Sequence, residues 1–233
     1  MRLAAAATVF AASFSVTALA AAAEFPTRPM RYIVATGPGG ASDLLARVVG
    51  AALSEKLGVQ VVVDNRPGGG NTVGAGVAAK ASPDGHTLLS CNIASLAVGP
   101  ALYRNLSYDP ERDFAPLGMI ASNPNVLSVN PSVPAKTISE FIALAKSRPG
   151  KLNYASTGVG TSPQLSMELF RMQAGFTIAH VAYKGVGAAL IDLIGGRIEA
   201  MFSTVPAALG SVRGGKVRPL GVTSKDRDPD LPD

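Results

Sequence analysis

The sequence predicts an α/β protein made of two units in series, strands alternating with helices in each. Three observations predict it. Short β-rich runs and helical patterns follow one another along the chain. The Val-rich run Val59–Val63 reads as a strand buried on both faces, as in parallel sheets. Two glycine-rich loops, at residues 37–40 and 158–160, each follow a β-rich run and open a helix.

In the first unit, Arg31–Ala35 is a strand that ends in Gly37-Pro38-Gly39-Gly40. Leu44, Val48, Ala51 and Leu53 recur near helical spacing, which predicts a helix over Asp43–Leu57 stopped by Gly58. After Val59–Val63, the loop Gly68-Gly69-Gly70 leads into an Ala-rich helix, Thr72–Ala81. Pro83-Asp84-Gly85 turns the chain into a third strand, Thr87–Ser90. This β-α-β-α-β order implies parallel pairing with right-handed crossovers. Near Phe114 the pattern changes, and two apolar runs, Leu117–Ala121 and Val126–Val129, flank the turn Ser122-Asn123-Pro124-Asn125.

The alternation then resumes. A helix over Ile138–Ser147 opens on Thr137-Ile138-Ser139-Glu140, a capping box. Strands are predicted at Asn153–Ser156, Ile178–Val181, Ala200–Ser203 and Val217–Val222. Helices are predicted at Ser162–Ala174, with Pro163 in its first turn, and at Gly187–Ile194. The two units are 24–120 and 121–225.

Composition narrows the function classes. With 47% hydrophobic and 16% charged residues among 233, the chain is not a disordered one. Arg2 is the only charge before Glu24, and the Ala-rich stretch between them ends in Ala21-Ala22-Ala23, an A-x-A cleavage pattern. Residues 1–23 therefore read as a cleaved secretory signal peptide. Thr8, Ser13, Ser15 and Thr17 weaken the stretch as a permanent span. No cysteine lies near the cut and no Arg pair precedes it, so neither a lipid anchor nor twin-arginine export is expected. The formal charge of +5 is scattered and the aromatics are few, which argues against a nucleic-acid surface.

Catalytic patterns are missing. No G-x-S-x-G elbow and no His/Cys/Asp metal spacing occurs. His86 follows a turn, and His180 reads as a structural, hydrogen-bonded strand histidine. Asp43, Asp64 and Asp192 read as capping or pairing groups rather than catalytic ones. Cys91, the single cysteine, cannot form an internal disulfide and reads as a buried small apolar residue.

The glycine loops carry the chemistry instead. A helix N-terminus offers unpaired N–H groups and partial positive charge, and glycines let an anion approach the backbone. The first candidate runs Thr36-Gly37-Pro38-Gly39-Gly40-Ala41-Ser42-Asp43, with Ser42 or Asp43 able to cap the helix. The second, Ser156-Thr157-Gly158-Val159-Gly160-Thr161-Ser162, holds four hydroxyls and two glycines. One loop per unit suggests a cleft with a site on each wall. The rival is the dinucleotide fingerprint, for which Gly37-x-Gly39 and Asp64 are suitably spaced. Against it, Ser42 occupies the last glycine position and Pro38 lies inside the turn. No Gly-Lys-Ser/Thr follows either loop, so a P-loop is excluded.

An ordered set of segments resembles one family. They are Phe25-Pro26-Thr27-Arg28-Pro29, Gly37-Pro38-Gly39-Gly40-Ala41-Ser42-Asp43, Val63-Asp64-Asn65-Arg66-Pro67-Gly68, Pro83-Asp84-Gly85-His86-Thr87-Leu88-Leu89 and Tyr108-Asp109-Pro110-Glu111-Arg112-Asp113-Phe114. Asn153-Tyr154-Ala155-Ser156, Gly158-Val159-Gly160-Thr161 and His180-Val181-Ala182-Tyr183-Lys184-Gly185 complete it. Together they resemble the Bug-type periplasmic receptors of tripartite tricarboxylate transporters.

The resemblance implies a two-lobed periplasmic binding protein type II fold that closes on a small carboxylated molecule: a di- or tricarboxylate, an amino acid or an aromatic acid. It implies a monomer in the periplasm, served by a two-subunit membrane permease, with no catalytic residue, cofactor or metal. It places Gly39, Gly40, Ser42 and Asp43 on one side of the ligand and Ser156, Gly158, Gly160 and Thr161 on the other. Asn92 and Ser95 are expected as specificity contacts, with Asp192 and Ser203 as further contacts from the second lobe. Ala182 stands where the family has proline. Family members are longer, so 226–233 is expected to begin a segment that returns to the first lobe, the chain being truncated at its C-terminus. A Rossmann-type dinucleotide enzyme and a ligand-sensing protein remain the alternatives.

Overall fold

The computed structural model describes residues 24–231, so the leader read into residues 1–23 lies outside the described residues. The described residues form two sheets. The first has three parallel strands, β1 Met30–Val34, β2 Val61–Asn65 and β3 Thr87–Ser90, in the order β2-β1-β3. Helix α1, Ala41–Leu57, crosses from β1 to β2 and stops at Gly58 as its sequence signals. Helix α2, Thr72–Ala79, crosses from β2 to β3. The strands meet at their C-terminal ends in the two loops that open α1 and α2, which is where parallel α/β sheets place their sites.

Three expectations fail in this lobe. The second strand lies two residues later than Val59–Val63, and it is a sheet edge rather than a strand buried on both faces; Val62 is 45% exposed. The apolar run Leu117–Ala121 forms no strand, and Leu117 and Met119 are each 86% exposed. Apolar content alone does not make a strand when no neighbouring edge supplies hydrogen bonds. The chain after β3 is instead helical, a π turn over Ala94–Val98 running into α3, Gly99–Leu102.

The second sheet has five strands in the order β6-β5-β7-β4-β8. They are β4 Asn125–Val129, β5 Asn153–Ser156, β6 Ala179–Ala182, β7 Ala200–Thr204 and β8 Arg218–Val222. The strand β4 runs antiparallel to β7 and β8, while β5 pairs in parallel with β6 and β7. Four helices surround the sheet: α4 Ile138–Ser147, α5 Ser162–Ala174, α6 Val186–Ile194 and α7 Val205–Arg213. The predicted α4, β5 and α5 match residue for residue, whereas α7 has no counterpart in the sequence reading. Its Pro206 is tolerated because it falls in the first turn.

The cores differ in weight. The second lobe buries Phe141, Tyr154, Met167, Phe176 and Phe202 in one cluster, with Phe170 packed against it. Phe141, Phe170 and Phe176 make mutual edge and stacking contacts. The first lobe centres on Tyr32, Val34 and Ala46, backed by half-buried Val49, Val61, Val63 and Leu88.

Candidate functional site

The first glycine loop is held by a buried carboxylate. Asp43 is 3% exposed. Its Oδ2 accepts the Gly39 N–H at 3.0 Å and Arg47 Nε–H at 3.2 Å, and its Oδ1 accepts Asn65 Nδ2 at 3.0 Å. Arg47 closes an ion pair one helical turn on. Burial works to raise the Asp43 carboxyl, but the donors on Arg47, Gly39 and Asn65 outweigh it and hold it below the usual range. Asn65 also donates to the Thr36 carbonyl at 3.1 Å, tying the loop to the end of β2. Gly40 occupies the N-cap of α1, and no side chain caps the first turn.

The second loop is held by hydroxyls. Ser156 Oγ accepts the Gly158 N–H at 3.0 Å and lies 2.6 Å from His180 Nε2. Thr161 stands at the N-cap of α5, yet its hydroxyl turns back to donate to the Gly158 carbonyl at 2.6 Å. The Gly160 N–H is taken by Gln164 Oε1 at 3.2 Å. Again no side chain caps the helix from the N-cap position.

Glycines bring the two lobes into contact. A methyl group at Gly37 would lie 2.7 Å from the Lys184 carbonyl oxygen and 3.1 Å from Gly185 Cα, so the first loop abuts the turn that opens α6. A methyl at Gly70 would overlap the Val159 carbonyl oxygen, and one at Gly160 would lie 3.0 Å from Val98 and 3.2 Å from Leu102. The N-termini of α1, α2, α5 and α6 therefore border one seam, and none of the four has a side-chain cap at its N-cap residue. Helix α4, elsewhere, is capped reciprocally: Thr137 accepts the Glu140 N–H at 3.2 Å, and Glu140 accepts the Lys136 N–H. Helix ends that lack a protein acceptor leave first-turn N–H groups for an anion.

Residues 45–233 match the model of the tripartite tricarboxylate transporter family receptor. The chain belongs to that receptor family. A protein of the tcbD–tcbE intergenic region of Pseudomonas sp. strain P51 is 41% identical over 209 residues, 90% of this chain and 62% of its own length. BugT of Bordetella pertussis is 38% identical over 96% of this chain and 69% of its own. This chain thus spans about 62–69% of those two relatives. Among solved structures, an R. palustris protein with adipate superposes at TM-score 0.85 with 37% identity, covering 88% of this chain and 68% of that one. MatC from Rhodopseudomonas palustris, with bound malate, superposes at 0.84 with 31% identity, covering 89% and 71%. The two-lobed α/β fold of periplasmic binding proteins is therefore this chain's fold.

Three of the residues expected at a ligand, Asn92, Ser95 and Asp192, have hydrogen-bond partners within the protein. Ser95 is fully buried, its hydroxyl donating to the Asn92 carbonyl at 3.1 Å, because it lies inside the π turn. Asn92 caps that turn, its Oδ1 accepting the Ala94 N–H at 3.1 Å. Asp192 lies in the last turn of α6, away from the seam, where it accepts Tyr183 Oη at 2.7 Å and pairs with Arg197. Ser203 lies near the C-terminal end of β7, in register with Val126, and its buried Oγ has no partner among the described residues. Of the twelve expected residues, Gly39, Gly40, Ser42 and Asp43 meet one side of the seam and Ser156, Gly158, Gly160 and Thr161 the other.

Other expectations divide. His180 is the hydrogen-bonded strand histidine that was expected. Asp64, weighed as a ribose acid, is paired with Arg31 and Arg66. Cys91 is exposed, not buried, because β3 ends at Ser90 and the chain leaves the sheet there. Three residues at the seam were not among the expected ligand contacts, although Thr36 and Gly70 lie in loops the sequence marks. Thr36 Oγ1 is buried with no partner among the described residues. Gly70 meets the second loop, and Asn71, at φ 75°, donates to Asn92 Oδ1 at 3.3 Å. The only signal for Asn71 was its place after three glycines, where a residue tolerant of left-handed backbone fits.

Proposed function

We propose that the chain is the binding part of a periplasmic solute receptor, holding a small carboxylate between its two glycine loops for delivery to a membrane permease. The observation that carries this reading is the set of helix N-termini from both lobes left without side-chain caps along one seam. The amides around Gly40 and Ser42 and those of the second loop would receive the carboxylate, while Asp43, Ser156 and Thr161 hold the loops in shape. Adipate and malate in two solved relatives support a dicarboxylate. The reading assigns no chemical step, cofactor or metal. It places the protein in the periplasm as a monomer, and closure of the lobes supplies the signal to the permease.

Thermal unfolding of the chain with malate, adipate and a matched diamine tests this. Binding to the folded state alone adds about 2.7 kcal/mol at a hundredfold excess over Kd. A rise in Tm with one of the acids and none with the diamine is the expected result. A cooperative transition that no carboxylate moves would overturn it.

A further inference from the structure

A relay of side chains lies behind the second glycine loop. Ser156 Oγ accepts the Gly158 N–H at 3.0 Å, and it has one proton to give to either of two acceptors. One is the Gly158 carbonyl oxygen at 3.2 Å, the other His180 Nε2 at 2.6 Å. His180 pairs with Tyr154 in the β5–β6 register, and the two rings stack with centroids 4.8 Å apart. Tyr154 donates to Glu168 at 2.7 Å, and Glu168 pairs with Arg171. The groups that face the His180 ring are thus Ser156 and Tyr154 from β5 and Glu168 from α5, with Arg171 beyond it. Burial and Glu168 push the Tyr154 phenol far up, so it stays a donor.

The serine cannot serve both acceptors at once. With His180 neutral and its proton on Nδ1, Ser156 donates to Nε2, and the Gly158 carbonyl is left to Thr161. With His180 protonated, Nε2–H donates to Ser156, and the serine proton turns to the Gly158 carbonyl. That closes a reciprocal Ser156–Gly158 pair and puts a positive charge one residue behind the loop.

We propose that His180 is a positioning residue for the second glycine loop: through Ser156 its protonation sets the Gly158–Thr161 backbone, and the protonated form holds an anion more tightly. The ligand part rests on the binding reading above; the loop part does not. Burial keeps His180 below its ordinary value, with Glu168 partly offsetting it, so the change falls below about pH 6.5.

Amide NMR of the full, ligand-free chain from about pH 8 to about pH 5 tests the loop part. The Gly158, Gly160 and Thr161 amides are expected to move with the His180 ring midpoint in the wild type. They lose that midpoint in Ser156→Ala and in His180→Gln. Amides that stay flat through the His180 titration, or that keep its midpoint in Ser156→Ala, would overturn the proposal. Malate affinity in wild type and His180→Gln tests the ligand part, since the ratio of the two cancels malate's own titration. Wild type is expected to gain about fivefold over the variant on acidification. A constant ratio would remove His180 from binding. Absence of malate binding at every pH would overturn the dicarboxylate reading and the ligand part with it, while the amide titration still decides the loop part.

Discussion

The two glycine loops read alike as strings of residues and are built on different physics. The first is clipped by an ionised carboxylate with three protein partners, Gly39, Arg47 and Asn65. The second is clipped by the hydroxyls of Ser156 and Thr161, backed by a neutral imidazole. Both leave a helix N-terminus uncapped at the seam. A carboxylate beside an anion site is tolerable because Arg47 and the buried amides neutralise it, whereas hydroxyls can accept and donate and so leave the loop adjustable. The clips also answer to pH in separate windows. Asp43 has a folded value below its unfolded one of about 3.9, so its contribution is present above that pH and lost as pH falls through the folded value. His180 is also lowered, so between its folded value and about 6.5 the unfolded chain binds more protons and stability rises with pH.

Removing the charged clip is the most severe way to break this comparison. Asp43→Ala leaves the Gly39 N–H and Asn65 amide without their acceptor and is expected to cost about 2–4 kcal/mol in urea unfolding at neutral pH. The gap from wild type should narrow as pH falls below about 4, where the unfolded chain takes up a proton that folded Asp43 resists. A variant within about 0.5 kcal/mol of wild type at neutral pH would show that the network does not hold the loop. Next is Gly70→Ala. Gly70 sits at φ 59° and its added methyl meets the Val159 carbonyl, so the lobes must part. Carboxylate affinity is expected to fall about tenfold, a cost of about 1.4 kcal/mol, with a larger radius of gyration in solution scattering. Unchanged affinity would mean that the seam at Gly70 is not part of closure. Smallest is Thr137→Ala, at the one reciprocally capped helix described. It should cost about 1 kcal/mol of stability and leave affinity alone. A loss of affinity there would mean that capping away from the seam also shapes the site.

Local signals carried a large part of the fold. Thr137 and Glu140 marked the start of α4, Gly58 the end of α1, and Pro163 the first turn of α5, each because the interaction is made within four residues. Where an element depends on a distant partner, pattern misled. Leu117–Ala121 is apolar enough for a strand but has no edge to pair with among the described residues. The Val59–Val63 run was placed two residues early and read as central, though β2 is an edge. The site divides the same way. The loops were legible as glycine-rich helix starts, but the sequence did not show that the hydroxyls and carboxylate within them also hold the loops in shape.

By itself, then, the sequence determined the α/β alternation, the two glycine loops and the residues able to cap or to leave open a helix, since each is settled by torsional freedom and hydrogen bonds within one turn of chain. Only the tertiary structure decided that Gly37 and Gly70 are interlobe contacts and that Asp192 lies in the last turn of its helix, paired with Arg197. It alone joined His180, on one strand, to Ser156 on its neighbour. Those facts depend on which strands pair and in which register, and that is set by how whole faces pack together rather than by any local run of residues.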